Sequence, residues 1–128
     1  MLAFGSDAPV EPPSAAARIA AALTRERADG TPRGGFMPSQ RVLLDDALRA
    51  YTEGPARLAG VWPHQGSLGL GALADFVVWE RDLHAEAPAR LREARPSCTV
   101  WHGEVVHEAS DLPLPEQTGP PLRGAAGP

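Results

Sequence analysis

Leu2-Ala3-Phe4-Gly5-Ser6-Asp7 is a short apolar run that stops abruptly in small and acidic residues. That pattern fits a buried strand opening into a loop, and the rest of the chain is best read outward from it. Pro9, Pro12 and Pro13 forbid a helix interior until Ser14, because each proline lacks an amide donor and its ring clashes with the preceding turn. Ser14 can cap a helix predicted over Ala15 to Arg27, with Ile19, Ala20 and Leu23 on one side. Asp29-Gly30-Thr31-Pro32-Arg33-Gly34-Gly35 then ends it with turn chemistry.

Pro38-Ser39 opens a second helical unit, in which Leu43, Leu44, Ala47, Leu48 and Tyr51 build an apolar stripe. Asp45 and Asp46 fall early in it, where the helix dipole favours acids. Thr52-Glu53-Gly54-Pro55 breaks this helix, and Pro55 suits the first turn of a short one over Ala56 to Ala59. From Gly66 the texture turns to strands. Gly66 to Gly71 reads as an edge segment followed by a turn, and Ala74-Asp75-Phe76-Val77-Val78-Trp79 is the strongest strand candidate. Glu86 to Arg92 has room for one or two helical turns. Cys98 to Trp101 and Glu104 to His107 flank His102-Gly103, a two-residue hairpin connection with Gly103 able to take positive φ. The tail beyond Leu112 is rich in Pro, Gly and polar residues and is expected to be disordered.

Composition narrows the classes. The chain has 128 residues, enough for one domain. Its 13 glycines and 14 prolines exceed the average usage of ~7% and ~5%, so long uninterrupted elements are few. Net charge is −4, and all twelve basic residues are arginine without a basic stripe, which argues against nucleic acid as a partner. No stretch approaches the ~20 apolar residues of a membrane span, so no membrane partner is expected. The single cysteine, Cys98, cannot form an internal disulfide, and nothing asks for an oxidising compartment. A soluble, cytoplasmic piece is expected.

Phe4-Gly5-Ser6-Asp7-Ala8-Pro9-Val10 resembles the end of the last barrel strand in the amidohydrolase superfamily, in its amidohydrolase-3 (YtcJ-like) branch. Three later segments resemble the same family in the same order: Arg41 to Thr52, Gly66 to Val78, and the hairpin around Gly103. One departure is Ala72, where the family usually carries lysine in its Gly-x-x-Gly-Lys-x-Ala-Asp run. The resemblance covers residues 2 to 108. It implies an α/β fold: a metal-dependent (β/α)₈ barrel beside a small β-sandwich. On it, residues 1–60 are the end of the barrel (its eighth strand and the helices that follow), 61–109 the C-terminal part of the sandwich, and 110–128 a disordered tail. A full barrel takes ~250 residues, so the chain reads as a C-terminal fragment.

The resemblance also implies chemistry. The intact parent would hydrolyse a carbon–nitrogen bond other than a peptide bond in a small amide, formamide or cyclic amide. Asp7 matches the acid that ligates a divalent metal, usually zinc, and accepts a proton from the attacking water. A carboxylate suits both tasks, because the metal lowers the pKa of its bound water to ~7. Asp7 read without the resemblance is a turn or cap aspartate, with Ser6 and Val10 shaping the loop. The family's His-x-His pair and its further histidines have no counterpart here. One carboxylate cannot hold a catalytic zinc that wants three protein ligands, so the isolated chain is expected to retain no metal and no activity.

The other candidates read as structural. His64, His84, His102 and His107 show no ligand spacing and are expected at the surface or in packing. Cys98 on a strand reads as a buried, inert thiol. Trp79 and Trp101 at strand ends are expected to close a small core, with Trp62 as a further aromatic. Asp45-Asp46 is explained by its helix-start position. The rival function is a non-catalytic interaction module using the strand-rich stretch from Gly66 to His107, whose open edges would seek a partner strand. Translating the DNA upstream of Met1 tests the fragment reading: an open frame encoding His-x-His is expected. An in-frame stop and a ribosome-binding site directly upstream would instead favour a truncated gene or a repurposed module.

Overall fold

The structure is a computed structural model and describes residues 1–110; the expected disordered tail lies outside the described residues. Three helices, α1 (Ala15–Thr24), α2 (Leu44–Tyr51) and α3 (Glu53–Leu58), precede a three-stranded sheet of β1 (Phe76–Trp79), β2 (Pro96–Trp101) and β3 (Glu104–Glu108). Two 3₁₀ turns, Pro38–Gln40 and Pro88–Glu93, complete the regular structure among the described residues. The mixed helix–strand content is that of an α/β protein. Among the described residues no helix is long and apolar enough to cross a membrane.

Helix α1 starts where its sequence says it should. The Ser14 hydroxyl accepts the Ala17 amide, satisfying one of the orphan donors of the first turn. It ends at Thr24, short of the expected Arg27, because Arg25 turns to φ 61° and donates its amide to the Ala21 carbonyl. The Phe36 loop holds that turn: the Phe36 amide donates to the Arg25 carbonyl at 2.8 Å, and Arg25 Nε to the Phe36 carbonyl at 3.1 Å. The second helical unit likewise divides. Pro38–Gln40 makes one 3₁₀ turn, the Val42 amide donates to the Ala22 carbonyl of α1 at 3.3 Å, and α2 begins only at Leu44.

The opening run Leu2 to Ser6 is not a strand. A strand needs a ladder, and the one backbone bond this run makes to a helix is from the Phe4 amide to the Ala50 carbonyl, at 2.7 Å. Gly66 to Gly71 is not a strand either. Its glycines weaken extended pairing, and the Leu73 amide closes it into a loop on the His64 carbonyl at 2.8 Å.

The core lies between α1, α2 and the Pro88–Glu93 turn. Ala16, Ile19, Ala20 and Ala47 pack with Leu83, Leu91 and Ala94, and Phe4, Leu23, Tyr51 and Trp79 close its margins. Four alanines line it beside Ile19, Leu83 and Leu91, so α1 approaches the 3₁₀ turn closely, and Leu91 is its largest fully buried side chain.

In the sheet, β2 pairs antiparallel with both neighbours, Phe76 opposite Val100 and Val100 opposite Val105. His102 and Gly103 adopt φ 51° and 81°, the left-handed pair of the tight hairpin turn whose twist matches the strands. Cys98 is buried on β2, as its strand position implies. The tryptophans divide. Trp79 packs against the core, whereas Trp101 is 59% exposed at the hairpin tip, with the His102 ring 4.5 Å away. The expectation that both close a core fails at Trp101, which lies outside the buried cluster and its packed neighbours.

Leu91→Ala opens a cavity that rigid alanine-rich neighbours cannot fill. It is expected to cost ~2–5 kcal/mol in urea unfolding; a loss under ~1 kcal/mol would contradict this placement of the core.

Candidate functional site

Asp7 sits at the head of the turn Asp7–Val10, exposed to solvent, with φ 52°. Aspartate is among the few side chains that tolerate this left-handed conformation. The turn is closed locally: the Val10 amide donates to the Asp7 carbonyl at 2.9 Å, and the Ala8 amide to Ser6 Oγ at 3.2 Å. Ser6 thus shapes the loop, as its place in the sequence suggests.

What fixes the loop in space comes from its two ends. On the first side the Leu2–Ala3 backbone lies in the notch between α2 and α3. There Gly54 is buried, and a Cβ at this position would stand 2.1 Å from the Leu2 carbonyl oxygen and 3.1 Å from Ala3 Cα. The Phe4 amide donates to the Ala50 carbonyl at 2.7 Å, and the Phe4 ring meets the Tyr51 ring edge-on at 5.5 Å. On the second side the Arg18 guanidinium of α1 donates to the Pro12 carbonyl. Burial pushes the Tyr51 phenol above its ordinary pKa, with Arg18 partly opposing it. The Tyr51 hydroxyl and Arg18 Nε are both buried without hydrogen-bond partners among the described residues.

The other candidates lie apart from Asp7. His64, His102 and His107 are exposed. His84 is exposed too, and its Nε2 lies 2.8 Å from Asp45 Oδ1 while Nδ1 lies 3.6 Å from Asp82 Oδ1. The two acids flank opposite edges of the ring, an arrangement for an ion pair and not for chelation. The Asp45 hydrogen bond, assisted by its charge and that of Asp82, raises the His84 pKa against the opposing effect of burial. The same bond, with the charges of His84 and Arg49, lowers that of Asp45. Asp45 and Asp46 occupy the first turn of α2.

No group of three or more His, Cys, Asp or Glu side chains is placed to hold a metal ion among the described residues. Asp7 offers two oxygens, while a catalytic zinc takes three protein ligands and an open position. The residues present do not fit a metal centre by themselves. What Asp7 can do alone is accept a proton or orient a water.

Sequence reasoning singled out Asp7 and did not name the groups that seat it. Gly54 carried a signal, since a glycine inside a helix costs ~1 kcal/mol relative to alanine and needs a reason. Nothing in the local pattern paired Phe4 with Tyr51.

The amidohydrolase family's sequence profile matches residues 1–107. YtcJ of Bacillus subtilis (strain 168), a protein named as an amidohydrolase, is 32% identical over 110 residues, covering 86% of this chain and 21% of that protein. The N-substituted formamide deformylase of Arthrobacter pascens is 33% identical over 107 residues, 84% of this chain and 19% of the enzyme. An imidazolonepropionase of Pseudomonas paraeruginosa (strain DSM 24068 / PA7) is 37% identical over 67 residues, 52% of this chain and 17% of its own. The chain thus spans about a fifth of the length of these relatives. No solved structure matches.

The His84–Asp45 pair has a pH signature. Because the folded-state pKa of His84 is raised, its stabilisation is complete below the unfolded value of about 6.5 and fades as pH rises through the folded pKa. Because that of Asp45 is lowered, its share is present above about 3.8 and is lost in stronger acid. Thermal unfolding midpoints are therefore expected to decline above pH 6.5, and His84→Gln to flatten that decline. An unchanged profile in the variant would contradict the pairing.

Proposed function

The chain belongs to the amidohydrolase family, and on that premise we propose that it forms the C-terminal part of a cytoplasmic hydrolase of carbon–nitrogen bonds other than peptide bonds. Residues 1–60 would be the end of a (β/α)₈ barrel and the helices after it, Leu2 to Ser6 pairing as its last strand only beside barrel strands from outside this chain. Residues 61–109 would contribute to a small β-sandwich. The names of the relatives support the reaction class: a deformylase of N-substituted formamides and an imidazolonepropionase are both hydrolases acting on carbon–nitrogen bonds. The substrate class proposed is correspondingly a small formamide, amide or cyclic amide.

The observation that carries the reading is Asp7, an exposed carboxylate on a loop held at both ends. In a barrel enzyme the reacting groups stand on the loops at the C-terminal ends of the strands, and a carboxylate there can take the proton of an attacking water. Asp7 is assigned that role. A divalent metal, zinc in most such hydrolases, would bind only with ligands from outside this chain, and the chain alone is expected to be inactive. The second reading, an interaction module, stands on the exposed apolar side chains of the sheet: Phe76, Val77 and Val78 on β1, and Val105 and Val106 on β3. It requires that the chain fold alone and bind a partner without metal.

Grafting decides between them. Residues 1–107 are placed in the matched stretch of the Arthrobacter pascens deformylase. The graft is expected to deformylate its substrate, and Asp7→Asn to lower kcat by ~10²–10⁴-fold. A folded graft that does not deformylate, or that is indifferent to Asp7→Asn, would contradict the proposal.

A further inference from the structure

Gly54 lies in the first turn of α3, a helical position where alanine is intrinsically the better residue. It is buried, and the atoms that exclude a side chain there are backbone atoms of Leu2 and Ala3, which cannot rotate aside. Two residues beyond Leu2 the chain is tied again, by the Phe4 amide to the Ala50 carbonyl at 2.7 Å and by the Phe4 ring against Tyr51. Three residues beyond Phe4 stands Asp7, at φ 52° in a turn closed by the Val10 amide on the Asp7 carbonyl. Residues 2–4 make no strand ladder. Among the described residues, the notch at Gly54 and the Phe4–Ala50 hydrogen bond are what set where the loop begins.

We propose that Gly54 is a positioning residue for Asp7: by admitting the Leu2–Ala3 backbone into the α2–α3 notch it fixes the entry of the acid-bearing loop. A methyl group at Gly54 would stand 2.1 Å from the Leu2 carbonyl oxygen, so that backbone must shift and the carboxylate with it. The inference rests on the catalytic reading of Asp7, but its first test does not.

That test is amide hydrogen exchange on the full chain. In Gly54→Ala the Phe4 amide is expected to lose at least ~10-fold of its protection, while amides of β2 keep theirs. The second test uses the grafted enzyme. There Gly54→Ala is expected to lower kcat by ~10²-fold, the scale of an ångström misplacement of a reacting group, with KM within about twofold. Added to Asp7→Asn it is expected to cost nothing more, because its effect runs through the carboxylate. Phe4→Ala, which adds no atom to the notch, is expected to move kcat in the same direction and serves if Gly54→Ala does not fold. A Phe4 amide that stays protected overturns the proposal. So does a graft in which Asp7→Asn is inactive while Gly54→Ala and Phe4→Ala keep full kcat, or in which the effects simply add. If Asp7→Asn itself keeps full kcat, the catalytic reading falls and the positioning role with it, even where exchange shows the displacement.

Discussion

The backbone of Leu2 and Ala3 lies against Gly54 at a distance that leaves no room for a single methyl group. The placement of the opening segment depends on that contact. It lets the Phe4 amide reach the Ala50 carbonyl and the Phe4 ring reach Tyr51, at the margin of the alanine-rich core. The same small-residue logic runs through the interior, where Ala16, Ala20 and Ala47 let α1, α2 and the Pro88–Glu93 turn come together around Leu91.

Local chemistry was legible wherever a structure is decided within a few residues. Ser14 caps α1, Asp45 and Asp46 start α2, and His102-Gly103 turns the hairpin. Each outcome follows from hydrogen bonding or φ preference inside a short window. Elements decided by distant partners were not legible. Leu2 to Asp7 has a strand's composition, yet the described residues supply no strand beside it, so it runs as an irregular segment. Trp101 has a core residue's chemistry and an exposed position, because none of the described residues packs over it at the hairpin end. Helix α1 stopped early for a similar reason: Phe36, eleven residues on, captures both the carbonyl and the guanidinium of Arg25.

The candidate site divides in the same way. Asp7 was visible as a residue type in a motif, and its family is shown by the match across residues 1–107. Its seat was not visible, since Gly54, Phe4 and Tyr51 meet only through the fold. The pairing of His84 with Asp45, 39 residues apart, was equally hidden. An exposed pair of this kind is a local strut with a pH dependence, and it lies apart from the acid.

The chemistry assigned to Asp7 needs more than Asp7. A lone, exposed carboxylate can orient a water or accept its proton, but it does not make a zinc centre, which takes three protein ligands. Under the proposed function, Asp7 is therefore one acid of a site that residues from outside this chain would complete. Calorimetric titration of the purified chain with zinc tests that most directly. It is expected to show no stoichiometric binding. One tightly bound zinc per chain, lost in Asp7→Asn, would contradict the account.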